Sequence, residues 1–565
     1  MTKNTKNENE DIRIGVFVCH CGSNIGGLID CKKLAEYARS LPKVAYSEDN
    51  LYTCSETGLS SIKKAIKEHN LNRVIVASCT PRTHEPLFRE CISEAGLNPY
   101  LFTFVNIRDQ CTWVHMKEPD KAYEKSRDLI RMGVYRAAKL EPLEKIKINI
   151  NPTALVVGGG VAGMSAAISL CKQGFKTYLI EKEKELGGRL RSLHRLFPHD
   201  IDASELLNKF YSEMEKLNNL VVHTSCTVNN LDGFIGNYRV ELEKEGELIN
   251  IDVGAIVVAI GSEVLVPNGL YGYDGKKVIT QLQFEEILKS NQVNAKNLVM
   301  IQCAGSRNDD IPYCSSVCCM TALKNAIVCK ELNPDVKITI LFRDIFTPGT
   351  FYEEYYRKAR ENGVVFMRYT SDKPPIVENS VVKVQNQYLN RIIEIPNDLV
   401  VLSTPLIARE DNEFLAKLLK VPLESNKFFL EAHVKLRPVD FATDGVFVCG
   451  TAKWPTDISE SITQGQAAAS RAGLILSHET MEVEGATSYL PEHNKDLCKG
   501  CEVCIKVCPY KAIKKNEKGE IEIIQALCKG CGLCGASCTK KAITIKHFTN
   551  EQILSEIKAL GGEVA

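Results

Sequence analysis

No stretch of this chain is both long and apolar enough to cross a bilayer. The longest unbroken apolar stretches, such as Ile256 to Ile260 within VGAIVVAIG, fall far short of the roughly 20 residues a spanning helix needs. The opening residues, MTKNTKNENED, lack the apolar core of a secretory signal, so the expected location is cytoplasmic. Net charge is missing too: 70 basic side chains balance 70 acidic ones, and without a basic field nucleic-acid binding has no support. No Ser-His-Asp, H-E-x-x-H or P-loop pattern is present. What remains is an ordinary folded composition, 44% hydrophobic and 25% charged over 565 residues, enough for roughly three or four domains.

Cysteine, by contrast, is abundant. The chain has 23, and in a reducing compartment so many thiols point to metal or redox chemistry rather than structural disulfides. Eight fall between Cys498 and Cys538, five between Cys303 and Cys329, and seven up to and including Cys111. The C-terminal group is a duplication: CKGCEVCIKVCPYKAI begins at Cys498 and CKGCGLCGASCTKKAI at Cys528. Each unit has the spacing C-x2-C-x2-C-x3-C, in which three thiolates hold one 4Fe-4S cluster and the fourth reaches across to the other. Cys498, Cys501, Cys504 and Cys538 form one ligand set; Cys528, Cys531, Cys534 and Cys508 form the second. Zinc is the competing reading, but zinc sites use paired ligands rather than two runs of four. Pro509 follows the fourth cysteine of the first unit and Thr539 that of the second, a departure expected to alter backbone geometry but not ligation. The intervening KNEKGEIEII reads as a turn and a strand.

The middle of the chain carries a dinucleotide signature. ALVVGGGVAGMSAAISLCKQGFKTYLIE, Ala154 to Glu181, reads strand, glycine turn, helix, strand, acid. Gly158, Gly160 and Gly163 permit a tight turn and close approach of a pyrophosphate, and Glu181 is placed for ribose hydroxyls. Leu186, Gly187, Gly188 and Arg189 form the small loop seen beyond the acid in two-dinucleotide flavoproteins. VVAIGS, with Gly261, and DGVFVCGTAKWPTDISESITQGQAAA resemble the two return motifs of the thioredoxin reductase and glutathione reductase class. The second motif ends a strand at Gly450 and opens a helix near Ser461, whose dipole can stabilise negative charge on a flavin. FAD is therefore the expected cofactor.

In that class a second Rossmann unit between the return motifs binds a nicotinamide nucleotide. Here its first strand, NLVMIQCAGSR, lacks the glycine fingerprint and is followed by PYCSSVCCM. Cys303, Cys314, Cys318 and Cys319 stand where phosphate-binding glycines would, which disfavours direct reduction by NAD(P)H. These thiols could form a redox disulfide or hold a third 4Fe-4S cluster, though adjacent cysteines are poor at pairing with each other. Ahead of this half, a small α/β domain is expected to residue 148, with strands IGVFVC, RVIVAS and YLFTFV and a helix over Ser60 to Glu68. Its Cys19, Cys21, Cys54, Cys79 and Cys111 match no known cluster spacing; scattered structural thiols on one side and a further cluster or subunit contact on the other are equally open. His20, His84 and His115 accompany them, with structural hydrogen bonding the expected role.

IQCAGSR and PYCSSVCC, with VCHCGSNIGG, SCTPRTHEPLF and NIRDQCTWVH nearer the start, resemble the A subunit of heterodisulfide reductase over nearly the whole chain. The resemblance implies an α/β chain: an N-terminal domain (1–148), a thioredoxin-reductase-like FAD domain (149–485), a two-cluster ferredoxin (486–548) and a terminal helix (549–565). The cluster-binding half is expected at 290–408, and 141–151 and 479–495 as linkers. A second ferredoxin, inserted in the FAD domain of some members, is missing. The resemblance also implies that Cys303, Cys314, Cys318 and Cys319 bind a cluster beside the flavin, and that Lys324 approaches flavin N5 as the catalytic group; an isolated reading of Lys324 would be a solvated helix lysine. The implied activity is flavin-based electron bifurcation within a larger complex containing a homodimer of this chain. Its partners would be a hydrogenase, formate dehydrogenase or similar donor, ferredoxin, and the B- and C-type subunits that reduce a disulfide. A stand-alone flavin/dithiol disulfide reductase and a non-bifurcating electron relay are the alternatives.

Overall fold

The computed structural model describes residues 11–484, 488–489 and 492–562. These fall into two compact units. One joins Met1–Ile146 with Glu482–Ala565, and the other is Lys147–Met481. The N-terminal domain and the ferredoxin with its terminal helix, read from the sequence as separate modules, thus share one unit. Linear spacing could not reveal this, because the contacts link residues more than 400 positions apart.

In the first unit, β1 (Ile14–Cys19), β2 (Val44–Asn50), β3 (Arg73–Ser78) and β4 (Phe102–Asn106) form a parallel sheet in the order β2-β1-β3-β4. Every residue of β1 and β3 is buried, as expected of strands covered by helices on both faces. The helix expected from Ser60 begins earlier, as Glu56–Glu68, because the Ser55 side chain caps it by accepting from Gly58 N–H. The terminal helix Asn550–Leu560 docks on Pro119–Ala137. Arg131 Nε donates to Ala559 O at 2.6 Å, Gln552 donates to Lys139 O at 2.8 Å, and Arg136 pairs with Glu556 at 2.9 Å.

The second unit contains the same architecture twice. Thr153–Val157 is the central strand of a parallel sheet, with Lys176–Ile180 and Leu220–His223 on one side and Ala255–Val258 and Val446–Val448 on the other. Asn297–Ile301 is the corresponding strand of a second five-stranded sheet, with Lys337–Phe342 and Val365–Arg368 on one side and Leu399–Leu402 and Val278–Thr280 on the other. Each half adds a three-stranded antiparallel sheet, at Cys226–Val253 and at Ile376–Pro396. This second half, expected at about 290–408, therefore starts before residue 290, since Val278–Thr280 pairs with Val400–Leu402. A three-residue edge strand is too short to show periodicity. The first presumed linker is also structured in part, with Lys145–Asn149 pairing with Thr480–Glu484.

Candidate functional site

The glycine turn after Thr153–Val157 is built by close packing. Gly158 adopts φ 106°, and a Cβ there would lie 2.4 Å from Ala259 O; one on Gly163 would lie 1.8 Å from Gly158 O. Gly160 is different: a Cβ would meet nothing within 4 Å, because the residue faces open space at the N-cap of Val161–Lys172. Two glycines make the turn and the third leaves room for a ligand's phosphates at a helix N-terminus. Gly188, at φ 49°, approaches the Cα of Gly160 so closely that a Cβ would be 3.2 Å away. Gly187 N–H donates to Gly159 O at 2.8 Å.

These groups open into a cavity of about 780 Å³, within the range of cofactor sites. Glu181, Gly188, Arg189, Gly261 and Ser461 line it, and Gly450 sits just behind, its Cβ direction 2.8 Å from Ala162 Cβ. Glu181 accepts from Gly159 N–H at 2.7 Å and Glu183 N–H at 2.9 Å, which fixes the carboxylate at the cavity edge. Arg189 donates to Ser262 O at 2.7 Å, and burial draws its guanidinium down to about 10. Ser461 lies in the first turn of Ile458–Leu476, whose N-cap Asp457 accepts from Glu460 N–H at 2.8 Å and from the Tyr352 hydroxyl at 2.5 Å. That carboxylate offsets part of the helix dipole expected to act there. A spacious cavity with an open glycine cradle, an anchored acid and an arginine fits FAD.

The second half supplies the opposite wall. Cys318, Thr321, Gln281 and Glu285 line the same cavity. Cys303, at φ 57°, lies in the turn directly after Asn297–Ile301, Cys314 lies in the loop, and Cys318 and Cys319 begin the helix Cys318–Leu332. Left-handed conformations at Cys303, Gly305, Arg307 and Ser316 bend this loop. Burial first, then the charges of Cys319, Cys314 and Cys303, push the Cys318 thiol far up. Burial likewise pushes Cys319 up to about 12, with Cys303 and Cys314 adding to it. Cys318 and Cys319 thus both feel Cys303 and Cys314, a cost that a metal cluster's positive charge removes.

Lys324 is not solvated. It is 2% exposed and ion-paired with Glu285, which is 0% exposed. Glu285, not Lys324, is the member of the pair that lines the cavity. Its second oxygen accepts from His194 N–H at 2.9 Å. Sequence reading missed Glu285 because nothing in its helix, QLQFEEILK, separates it from Glu286, which faces outward.

In the ferredoxin the two quartets surround separate hollows. Cys498, Cys501, Cys504 and Cys538 line one, and Cys508, Cys528, Cys531 and Cys534 the other. The duplication extends to the backbone: Gly500 and Gly530, Glu502 and Gly532, and Lys511 and Lys541 are all left-handed. Thr539 causes no divergence, contrary to expectation. Cys508 and Cys538 have φ/ψ of −75°/106° and −78°/98°, the extended region that proline imposes on the residue before it and that threonine equally permits. Ala512 N–H and Ala542 N–H donate to Cys508 and Cys538 Sγ, each at 3.3 Å. Burial opposes ionisation of Cys538, but the N–H groups of Ala542, Ile543, Lys540 and Lys541 together hold its thiol below the ordinary value.

The N-terminal thiols sort into two groups. Cys19 ends β1, Cys79 follows β3, and Cys21 and Cys54 lie in the loops between, at the point where strand order reverses and α/β folds bind ligands. Cys54 and Cys79 are pushed up by burial and also by the charges of Cys19 and Cys21. Arg108 donates to Cys21 Sγ at 3.7 Å. Cys111 stands apart, its thiol donating to Ala122 O at 3.0 Å within a hydrophobic core. His20 pairs with Asp49 at 2.8 Å and His115 with Glu118 at 3.2 Å, as structural histidines do. Among the described residues no three His, Cys, Asp or Glu side chains converge on a single ion, and no helix is long and apolar enough to cross a membrane.

A dinucleotide cavity beside a cysteine loop, with a duplicated cysteine module, defines a flavin- and iron-sulfur-containing oxidoreductase with a thioredoxin-reductase-like FAD fold. The pyridine nucleotide-disulphide oxidoreductase family matches residues 152–470, and a 4Fe-4S binding domain matches 490–513. The A subunit of the H(2):CoB-CoM heterodisulfide,ferredoxin reductase of Methanothermobacter thermautotrophicus is 38% identical over 98% of both chains. The A subunit of the Ferredoxin/F(420)H(2)-dependent CoB-CoM heterodisulfide reductase of Methanosarcina acetivorans is 34% identical over 97% of this chain and 81% of its own. Among solved structures, the thioredoxin reductase of T. acidophilum covers 57% of this chain with 99% of its own, at 17% identity and a TM-score of 0.41. This chain belongs to the family of heterodisulfide reductase A subunits. Its alignment with the Methanothermobacter protein runs to 655 positions, beyond the 565 residues here, so that relative carries segments this chain lacks.

Proposed function

We propose that this chain is the flavin-bearing electron-converting subunit of a heterodisulfide-reductase-like complex, with one FAD and four 4Fe-4S clusters. The observation that carries this is Cys318, which belongs to a thiol quartet and lines the dinucleotide cavity. Bound there, FAD supplies the exchange between two-electron and one-electron chemistry that clusters lack. Gly158, Gly160, Gly163 and Glu181 hold the dinucleotide, with Gly188, Arg189, Gly261, Gly450 and Ser461 shaping the cavity around it. Cys303, Cys314, Cys318 and Cys319 bind the cluster on the opposite wall. The two ferredoxin quartets carry two more clusters, and Cys19, Cys21, Cys54 and Cys79 carry the fourth. Lys324 sets the charge of the cavity on the side of its second wall.

The names of relatives mention hydrogen or formate, ferredoxin and the CoB-CoM heterodisulfide. The proposed partners follow: a hydrogenase, formate dehydrogenase or similar donor, ferredoxin and a disulfide-reducing subunit pair of the B and C types, around a homodimer in the cytoplasm. Bifurcation of each electron pair between ferredoxin and the disulfide is the proposed activity. Iron, acid-labile sulfide and flavin analysis of the chain purified without oxygen tests the cofactor set. About sixteen irons and one FAD per chain are expected. About twelve would leave the N-terminal quartet as thiols, and about eight would return Cys303 to Cys319 to dithiol chemistry and favour a disulfide reductase.

A further inference from the structure

We infer that Glu285 is a positioning residue that keeps Lys324 protonated, so that the number of protons accompanying flavin reduction does not depend on this lysine. The inference rests on the reading that FAD occupies the cavity and that Lys324 acts on it. Four observations support it. Lys324 is buried on Cys318–Leu332, with Glu285, from Gln281–Lys289, as its ion-pair partner. Glu285 is fully buried and lines the cavity. Its other oxygen is held by His194 N–H at 2.9 Å, so the carboxylate is aimed and cannot rotate freely away. Burial holds the Lys324 ammonium below its ordinary value, and Glu285 is the foremost group opposing that pull.

The other charges facing the pair act at longer range and with mixed sign. Asp200 supports the ammonium and Arg195 opposes it. The His194 ring, itself lowered by burial, senses Arg195, Glu285, Lys324 and Asp202. Asp200 is already engaged by the Tyr355 hydroxyl at 2.5 Å and lies 3.6 Å from Lys358. None of these replaces a carboxylate in direct contact with Nζ.

Removing the carboxylate leaves a buried amine without a counter-charge, and such an amine gives up its proton near neutral pH. When negative charge arrives in the cavity, the amine takes a proton back. Reduction then consumes one more proton than before, and that proton comes from solvent. For a two-electron couple, each tenfold fall in proton concentration lowers the potential by about 30 mV more. The diagnostic is therefore the slope of flavin potential against pH, which loss of packing alone does not steepen.

The experiment is spectroelectrochemical titration of the FAD-loaded full chain between pH 6 and 9 (roughly half a unit either side of the ordinary histidine to thiol range) for Glu285→Gln, Glu285→Asp, Lys324→Met and the Lys324→Met/Glu285→Gln double variant. A steeper slope in Glu285→Gln, with a wild-type slope in Glu285→Asp and in the double variant, is the expected result. The double variant replaces a buried pair with neutral groups of similar size, which folds tolerate well. A wild-type slope in Glu285→Gln, with a shifted potential in Lys324→Met, would overturn the role of Glu285 alone. Unchanged potentials in all four variants would overturn the Lys324 reading beneath it, and a wild-type chain that holds no FAD would overturn both.

Discussion

The two halves of the Lys147–Met481 unit flank their central strands alike, except that one outer strand comes last in the first half (Val446–Val448) and first in the second (Val278–Thr280), yet they treat the end of the central strand in opposite ways. After Thr153–Val157 the chain turns through glycines directly into a helix whose N-terminus faces the cavity. After Asn297–Ile301 it makes a long loop through Cys303 and Cys314 before the helix begins at Cys318. One strand end offers backbone N–H groups to the cavity; the other offers sulfur. The same topological position serves two chemistries because the sheet fixes only where the strand ends, and the loop decides which atoms stand there.

The comparison breaks most severely at its tightest contact. Gly163→Ala places a Cβ 1.8 Å from Gly158 O, and the turn must move to accept it. Loss of FAD with a fall in stability of roughly 3 kcal/mol is expected, read by flavin absorbance and by denaturant unfolding of the stripped chain. Gly160→Ala is the control: with nothing within 4 Å, the flavin-free chain should keep its stability within roughly 0.5 kcal/mol and still bind FAD poorly. A stable, flavin-replete Gly160→Ala chain would show that the pyrophosphate does not lie at this helix.

On the sulfur side, Cys318→Ser should lower iron by about four atoms per chain and leave FAD in place. Combined iron and flavin analysis reads both at once, and concerted loss of the two cofactors would mean that the halves cannot be loaded independently. The smallest effect is electrostatic. Arg189 has its value in the folded chain drawn down to about 10 by burial, below that of an unfolded arginine, so folding favours its neutral form. The penalty is complete at every pH below about 10 and does not vary through neutrality. Arg189→Met should therefore leave the stability of the flavin-free chain equal or slightly raised and independent of pH between 6 and 9, while weakening FAD binding measured by fluorescence titration.

Legibility followed the distance between the residues that act together. The grouping of the ferredoxin cysteines could be read from spacing, since three of each set lie in one short run, and the structure brings the same eight cysteines around two hollows. The glycine turn was readable for the same reason. The start of the second half was not, because Val278–Thr280 joins its sheet by pairing with a strand more than a hundred residues later. The N-terminal quartet was half-legible: its cysteines were visible, but Cys111 could not be told from the rest until the sheet placed it in the core.

The sequence by itself determined the family, the dinucleotide turn, the duplicated cluster motif and the thiols that replace a second glycine fingerprint, since all of these lie within contiguous runs whose local backbone geometry they dictate. Only the tertiary structure decided that Cys318 lines the dinucleotide cavity, that Cys19, Cys21, Cys54 and Cys79 gather at the C-terminal ends of neighbouring strands of one sheet, and that Lys324 is held by Glu285. Burial and the pairing of opposite charges depend on which helices the fold lays side by side. No pattern along a single helix specifies the neighbour it will meet.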